Sequence, residues 1–417
     1  MNPSEKCVFY MENKRRNCKF DAISNSQYCH YHSENQDFVF CPIDPSHAIL
    51  KSKLETHLKI CPKLKYEQTL KSAIWFSKGL NSKPEIPEKP EEEKKEIMLE
   101  TYEIKAKNEE IHKKEKILLD LEAKNPDFLI NLAMKIDLMF EKAVKLYNEE
   151  IEETSKGYFI PILEQKSLIS HKQKDEKQLE LMLELMKRYS LLEKDLVYIE
   201  YGAGKGHLSH EVAISTNSES AYVLLEKEPR RNKFDKNHRN NKNFIRLRTD
   251  ISDFNINQLP QILNDFKPKS LKLNIIGISK HMCGGATDLT LNSLLKLEEK
   301  QGILNGMCII TCCHHRCSID CYSNKGLLKD LGLKEEESEV FFKMSSWSVT
   351  TLYEQKKEEI KEFLGSDRKT EIGFKVKRII DIGRCLFIKE KTGKKAAFVK
   401  YCDLDLTPEN FAIVLKT

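Results

Sequence analysis

The fold is decided by the stretch Asp195-Leu-Val-Tyr-Ile-Glu-Tyr-Gly-Ala-Gly-Lys-Gly-His-Leu-Ser209. It begins as a short β-rich run, passes through a Gly-x-Gly-x-Gly turn at Gly202, Gly204 and Gly206, and ends in residues that favour a helix. Glycine permits a tight turn and a close approach of the backbone to a ligand at the edge of an open parallel sheet. The stretch therefore predicts a nucleotide-type loop. Such turns also occur in unrelated proteins, so the fold prediction depends on the residues after the loop.

The sequence after this loop alternates between strand-like and helix-like segments. The run Ser220–Leu225 ends at Glu226, about twenty residues after the loop, where an acid can accept hydrogen bonds from ribose hydroxyls. Further strand-like runs are residues 243–248 (followed by Asp250), 271–278 and 305–311. This alternation predicts a doubly wound α/β sheet, the Rossmann-like fold.

The loop itself distinguishes methyltransferases from dinucleotide enzymes, which share this skeleton. Glu200 lies two residues before the first glycine and can meet a positively charged group, which favours S-adenosylmethionine over a pyrophosphate. A dinucleotide loop also requires Gly-x-Gly-x-x-Gly, and position 207 is a histidine. We expect Glu200 at the methionyl end, Glu226 at the ribose and Asp250 near the adenine. The predicted cofactor-binding residues are Glu200, Gly202, Gly204, Gly206, Glu226 and Asp250.

Titratable side chains follow the fourth and fifth predicted strands, where substrates bind in such sheets. Lys280 and His281 follow one strand, and His314, His315 and Arg316 follow the next. A positioned base typically contributes roughly 10²–10⁴-fold to a reaction rate. Either of these two turns could supply a general base, and the second also places its two histidines and its arginine where a phosphate or a ribose could approach. Our hypothesis assigns the base to Lys280 or His281, with the other three side chains holding the ribose or its phosphates.

Thirteen cysteines occur in three groups: five from Cys7 to Cys61, six from Cys283 to Cys321, and two near the end. The sequence opens without a signal-peptide pattern, and no apolar run approaches the roughly 18 residues of a transmembrane helix. We expect a cytosolic or nuclear protein whose cysteines are metal ligands, site residues or buried thiols. A third metal site and ordinary buried thiols both stay open for Cys312, Cys313, Cys317 and Cys321.

The second N-terminal cluster has the spacing of a zinc site. Cys41 and His47 lie in a turn-rich segment, and His57 and Cys61 lie four residues apart on one face of a predicted helix. Four such ligands suit tetrahedral Zn²⁺, and metal binding would supply the folding free energy of so small a segment. The alternative is four unrelated polar residues near a surface helix.

The first N-terminal cluster is spaced more loosely. Cys7, Cys18, Cys29 and His32 make a Cys₃His set for zinc, with His30 as the competing fourth ligand. Basic and aromatic residues surround it, a composition that suits phosphate contacts and base stacking, although the aromatics could instead form a miniature core.

The chain is predicted to have four segments: a first finger (1–36), a second finger (37–66), a charged linker and helical spacer (67–155) and a methyltransferase domain (156–417). In the spacer, residues 92–123 predict a solvated helix with a thin apolar stripe, and the irregular heptad makes a dimeric coiled coil the weaker interpretation. Residues 126–149 are more apolar and are expected to pack on a domain. Two strand-like runs, 384–388 and 396–401, predict an antiparallel hairpin at the sheet edge.

The net charge of +5 arises from 69 basic and 64 acidic residues and does not by itself indicate a nucleic-acid partner. The segment Lys227–Arg248 is different, because nine basic residues stand against two acidic ones, a net charge of +7. A solvated helix face is the default for a charge run. Its place directly after the cofactor acid makes a phosphate-facing surface the functional alternative.

The chain resembles the eukaryotic tRNA 2′-O-methyltransferase family that modifies nucleotide four of the acceptor stem. The resemblance rests on the order of its parts: the two fingers, the spacer, the loop 200–206, the turn 280–284 and the run Cys312-Cys-His-His-Arg-Cys317. The resemblance covers nearly the whole chain. It implies S-adenosylmethionine as methyl donor, the tRNA acceptor stem as substrate, and zinc in the finger formed by Cys41, His47, His57 and Cys61.

Two other functions stay open at this point. A non-catalytic zinc-finger RNA-binding adaptor would not need the intact set of cofactor residues. A methyltransferase acting on another RNA or on protein would not account for both fingers and the basic segment together.

Overall fold

The structure is a computed structural model that describes residues 6–11, 16–22, 27–29, 38–44, 47–82, 126–150, 171–231, 233–238, 240–264, 273–348 and 365–416. The predicted solvated helix at 92–123 and both candidate histidines of the first finger, His30 and His32, lie outside these residues. The chain divides into two compact units, Met1–Ala73 with Glu88–Ile111, and Ile74–Pro87 with His112–Thr417. No described helix is long and apolar enough to cross a bilayer.

The described residues of the first unit form two small hairpins and two α-helices. Its strands are β1 (Tyr10–Met11), β2 (Arg16–Asn17), β3 (Phe38–Phe40) and β4 (Ala48–Leu50), and its helices are α1 (Leu54–Ile60) and α2 (Pro62–Lys71). β1 pairs with β2, and β3 with β4, both antiparallel. The buried cluster of the first hairpin consists of three cysteines, Cys7, Cys18 and Cys29. Strands this short bury little apolar surface, so their stability depends on what the cysteines bind.

The second unit is built on a seven-stranded sheet. Its strands are β5 (Val197–Tyr201), β6 (Ala221–Leu225), β7 (Phe244–Leu247), β8 (Leu273–Cys283), β9 (Gly302–Cys312), β10 (Ala397–Lys400) and β11 (Phe411–Lys416). The order is β10-β11-β9-β8-β5-β6-β7. β5 to β9 run parallel, and β11 and β10 add an antiparallel edge. The predicted α/β fold of the Rossmann-like class is confirmed.

Helices cover both faces of this sheet. They are α3 (Pro126–Glu150), α4 (His171–Arg188), α5 (His207–Ser215), α6 (Leu259–Ile262), α7 (Gly285–Leu295), α8 (Lys325–Asp330), α9 (Glu335–Met344) and α10 (Ser366–Thr392). Successive residues of a strand point to opposite faces, so Val223 belongs to one core with α3 and α10 while Leu224 belongs to the other with α4 and α5. Because helices cover both faces, every residue of β5 and β6 is buried, and neither strand alternates between buried and exposed positions.

Helix α3 confirms that residues 126–149 pack on a domain. Its buried side chains include Leu132, Ile136, Met139 and Ala143, which recur every three or four residues and belong to the same core as β5 and β9. The sequence assigns this helix to the spacer, whereas the structure places it within the second compact unit.

Of the two strands predicted for the C-terminal hairpin, the first is wrong. Residues 384–388 lie inside the 27-residue helix α10 and do not form a strand. Ile380, Arg384 and Ile388 are all buried at a spacing of four, which is the helical period. The hairpin is made by β10, which overlaps the second predicted run, and by β11.

A short segment far upstream of the sheet packs beside the predicted adenine residue. Phe76 forms a β-bridge with Phe254, and the Ser77 amide donates to the carbonyl of Asp253 at 2.8 Å. Asn81 is 1% exposed, and its Nδ2 donates to the carbonyls of Ile251 and Phe254 at 2.7 Å each. Residues 74–82 therefore stabilise the backbone that follows Asp250.

We expect Asn81→Ala to lower the free energy of unfolding by about 1–3 kcal/mol, because two backbone carbonyls lose a buried donor. Chemical denaturation followed by circular dichroism measures this change. Asn264→Ala, at an exposed asparagine, is the matched control and should lie within about 0.5 kcal/mol of the wild type. Equal midpoints for Asn81→Ala and the wild type would show that the segment does not stabilise the domain.

Candidate active site and zinc centres

The glycine loop lies between β5 and α5, with the geometry that its sequence predicts. Gly202, Gly204 and Gly206 have φ values of +66°, +51° and +78°, a region that favours glycine. A Cβ on Gly206 would lie 2.7 Å from Leu224 and 2.8 Å from Arg246, whereas no described atom lies within 4 Å of a Cβ on Gly204. The Cα of Gly204 therefore faces open space that a ligand could enter, while the surroundings of Gly206 are closely packed.

Glu200 is buried at the end of β5 and joins that strand to α5. Its Oε2 accepts hydrogen bonds from the amide of Ser209 at 3.0 Å and from its hydroxyl at 2.5 Å. Burial raises the pKa of Glu200 to about 7, and the bonds from Ser209 oppose this only in part. The carboxyl group therefore changes charge near neutral pH.

Glu226 and Asp250 stand at the carboxyl ends of β6 and β7. Glu226 Oε2 accepts from the amide of Gly204 at 2.7 Å, so this acid holds the open part of the loop. Asp250 accepts from Ser252 and lies 2.8 Å from Lys227 Nζ. Burial alone raises the pKa of Asp250, but the bonds from Lys227 and Ser252 outweigh it and hold that pKa below its ordinary value.

The basic segment after Glu226 is partly neutralised. Among its described residues, three ion pairs join it to acids: Lys227 with Asp250, Arg230 with Glu226, and Arg246 with Asp235. Arg246 also donates to the carbonyl of Gly204 at 3.0 Å. Part of the +7 charge therefore supports the loop, and its exposed remainder includes Arg231, Lys236 and Lys242.

Lys280 and His281 lie within β8 and not in the turn after it. Ser279 pairs with Ile309, and Met282 pairs with Thr311, so the two residues between them oppose one residue of β9. This is a β-bulge, a feature that re-aims side chains and is common beside active sites.

Asp175, on α4, holds this bulge. Lys280 Nζ donates to the Asp175 carbonyl at 2.7 Å and forms an ion pair with its carboxylate. His281 Nε2 lies 3.8 Å from the same carboxylate, and its side chain is 55% exposed. Desolvation and the Lys280 charge lower the pKa of His281. At neutral pH the histidine is therefore an available proton acceptor, while the Lys280 side chain is held by its contacts with Asp175.

The three side chains after β9 divide between the interior and the surface. His314 is 1% exposed, and its Nε2 lies 2.8 Å from Asp381 Oδ2. Arg384 links Asp381 to Asp288, with contacts of 2.9 and 2.6 Å. The structure thus places His314 in a buried charged network, where it positions the turn, whereas His315 is half-buried and Arg316 exposed.

The turns after β8 and β9 are in contact, as expected for neighbouring parallel strands. The Gly284 amide donates to the carbonyl of Cys312 at 2.9 Å. Gly284 has φ +56°, and a Cβ there would lie 2.7 Å from the backbone of Arg316. The bulge and the exposed Arg316 therefore belong to one edge of the sheet.

Sequence reasoning missed several residues that support this site. They are Asp175, Ser209, Arg246, Asp288, Asp381 and Arg384. Asp175 precedes Lys280 by 105 positions, and no local pattern connects the two. Arg246 belongs to the basic segment that the sequence distinguishes, but no sequence pattern indicates its hydrogen bond to the glycine loop.

The second finger has the geometry of a zinc site. Ligand atoms of Cys41, His47, His57 and Cys61 lie within 4.8 Å of one another, and the two sulfurs are 3.9 Å apart. His57 Nε2 is buried without a hydrogen-bond partner among the described residues, as expected for a nitrogen that ligates metal. Asp44 lies 3.5 Å from His47 Nε2, the outer contact that orients a ligating histidine. The residues fit Zn²⁺.

The first finger shows three of its four predicted ligands. The sulfurs of Cys7, Cys18 and Cys29 lie within 4.8 Å of one another, and those of Cys18 and Cys29 are 3.8 Å apart. The fourth ligand, His32 or His30, stays a prediction because neither is described.

Fold and site together define a methyltransferase that carries two zinc fingers. Residues 177–416 match the family described as "Methyltransferase TRM13", residues 5–33 a "CCCH zinc finger in TRM13 protein", and residues 38–62 a "U11-48K-like CHHC zinc finger". The chain belongs to the TRM13 methyltransferase family.

Relatives match over most of their length. The "tRNA:m(4)X modification enzyme TRM13 homolog" of Dictyostelium discoideum is 32% identical over 397 residues, covering 85% of this chain and 69% of the relative. The "tRNA:m(4)X modification enzyme TRM13" of Vanderwaltozyma polyspora is 29% identical over 99% of each chain. A solved structure of the plantazolicin methyltransferase BpumL is 10% identical, with a TM-score of 0.28, and covers 70% of this chain and 99% of its own. A similarity that low carries no functional inference.

Proposed function

We propose that this protein transfers a methyl group from S-adenosylmethionine to the ribose 2′-hydroxyl of nucleotide four in the tRNA acceptor stem. The observation that carries the proposal is the open glycine loop at the sheet edge that also presents His281. Membership of the TRM13 family supports methyl transfer, and the relatives' name, tRNA:m(4)X modification enzyme, supports a tRNA substrate. Methylation of unmodified tRNA by the purified protein, with labelled S-adenosylmethionine, tests it.

The residues of the loop fit the cofactor. S-adenosylmethionine, when bound, supplies an electrophilic methyl group on a sulfonium. The Cα of Gly204 faces open space, Glu226 stands beside it for the ribose hydroxyls, and Asp250 lies at the next strand for the adenine. Glu200 supplies negative charge for the methionyl end.

The acceptor requires a base and a fixed orientation. A ribose hydroxyl is a poor nucleophile, so in-line placement and removal of its proton both lower the barrier. In our proposal the neutral His281 accepts that proton. Asp175 and Lys280 position the bulge. His315 and Arg316 contact the ribose or its phosphates, and the buried His314 positions the turn that carries them.

The zinc fingers bind the tRNA in this proposal and take no part in methyl transfer. Zinc supplies the folding free energy of each module through its cysteine and histidine ligands. We place the protein in the cytosol or the nucleus, reducing compartments that suit cysteines which bind metal.

Cofactor affinity should rise with pH through about 7, because the pKa of Glu200 is raised to about 7 and the cationic methionyl group favours the ionised carboxylate. Affinity rises with pH because, at pH values below this raised pKa, the Glu200 carboxyl is neutral and attracts the cationic methionyl group less. Glu200→Gln should bind more weakly and should not show this increase. Isothermal titration with S-adenosylmethionine at several pH values measures both.

Two results would contradict these roles at the cofactor site. Equal pH dependence in the wild type and Glu200→Gln would remove Glu200 from the methionyl end. An absence of binding at every pH would favour the alternative of a non-catalytic RNA-binding adaptor.

A further inference from the structure

Three cysteines meet at the carboxyl ends of β8 and β9, beside the proposed acceptor site. Cys283 ends β8, Cys312 ends β9, and the two are directly paired in the sheet register. Their sulfurs are 3.2 Å apart, and the sulfur of Cys313 lies within 4.8 Å of both. Neither the methyltransferase chemistry nor the fingers use this cluster.

The two zinc fingers provide an internal comparison. Among the described residues, three groups bring three or more potential ligand atoms within 4.8 Å, and two of them are the fingers. A tetrahedral ion with Zn–S bonds of about 2.3 Å places its sulfurs about 3.8 Å apart. The finger pairs, at 3.8 and 3.9 Å, have this spacing. To bind such an ion together, the sulfurs of Cys283 and Cys312 would have to move apart by roughly 0.6 Å, which a small rotation about the Cα–Cβ bonds allows.

The backbone at Cys313 explains how neighbouring cysteines share one site. Successive residues of a strand point to opposite faces, so Cys312 and Cys313 in a continued strand would diverge. Cys313 instead adopts φ 47° and ψ 46°, the left-handed region that residues other than glycine rarely enter. Such strain persists where the surroundings require it and is concentrated at functional sites.

Burial and ligand number show what kind of site the cluster could form. Cys312 is 4% exposed, whereas Cys283 and Cys313 are half-buried, so the cluster reaches the surface on one side. No fourth histidine, cysteine or carboxylate atom of the described residues completes the group. Structural zinc sites have four protein ligands, and sites with three keep a position for water or a ligand.

We propose that Cys283, Cys312 and Cys313 bind a third zinc ion through three thiolates, with its fourth position open at the sheet edge beside His281. Binding releases the thiol protons and joins the ends of β8 and β9. Cys317 and Cys321 are not part of this site. Their sulfurs form a separate pair, 3.7 Å apart, with Cys317 next to Asp288.

Metal content of the full-length protein tests the site without reference to activity. Inductively coupled plasma mass spectrometry should find about three zinc ions per wild-type chain, and about two in Cys283→Ser and in Cys313→Ser. Both positions are half-buried, so the variants should retain the fold, and circular dichroism checks this. Cys321→Ser makes the same change at a half-buried cysteine outside the cluster and should keep about three.

Several results would overturn the proposal. They are about two zinc ions per wild-type chain, retention of the third ion in both variants, iron in its place, or a Cys283–Cys312 disulfide found by mass spectrometry of the unreduced protein.

Discussion

His281→Ala is expected to lower the single-turnover rate of methyl transfer by roughly 10²–10⁴-fold, the usual contribution of a positioned base. The physical reason is its place on the β8 bulge, where its half-exposed ring can reach a substrate while partial desolvation and the Lys280 charge lower its pKa. Rapid quenching with labelled S-adenosylmethionine and excess enzyme measures the chemical step apart from product release. Cofactor affinity should be unchanged in this variant.

The pH profile distinguishes a base from a structural residue. Because the neutral ring is the active form, the wild-type rate should fall as pH decreases through the pKa of His281, which lies below its ordinary value of 6.5. This limb should be absent in His281→Ala. In Lys280→Ala it should move to higher pH, because a charge that lowers the pKa of His281 is removed. Rates near the wild type in both variants would remove the bulge from the mechanism.

Arg384→Met should cost about 3–5 kcal/mol of folding free energy, because the buried carboxylates of Asp288 and Asp381 lose the arginine that forms an ion pair with both of them. All three side chains are fully buried, and Arg384 also donates to the carbonyl of Gly284 at 3.0 Å. Urea denaturation followed by fluorescence or circular dichroism measures the loss. Arg188→Met, at an exposed arginine, is the matched control and should be nearly neutral.

A compensated variant separates charge from packing. Adding Asp288→Asn and Asp381→Asn to Arg384→Met removes the uncompensated charges and should recover part of the lost stability, a non-additive effect. A loss below about 1 kcal/mol for Arg384→Met would contradict the network's role in holding the turn of His314.

The parts of the fold that local chemistry determines could be predicted from sequence. Gly202, Gly204 and Gly206 require positive φ values that few other residues tolerate, and Glu226 follows at a fixed distance along the chain. The second finger has its ligands within one short segment. In each case the residues that interact lie close together in sequence.

Contacts between distant residues account for the features that could not be predicted. The run 384–388 has strand-like composition, yet its side chains are buried on the face of a long helix. His314 has the chemistry of a binding residue, but Asp381, 67 positions later, holds it in the interior. Asp175 joins the site only because α4 packs beside β8. The local sequence does not indicate which distant residues pack together.

Mapping the methyl group on tRNA tests the central proposal most directly. Unmodified tRNA is incubated with the purified full-length protein and labelled S-adenosylmethionine, with Gly206→Ala as a control that should disrupt the loop by contact with Leu224. Nuclease digestion and mass spectrometry then locate the label. We predict a single 2′-O-methyl group on nucleotide four of the acceptor stem, absent with the variant. A methyl group on a base, at another nucleotide or on protein alone would contradict the proposal.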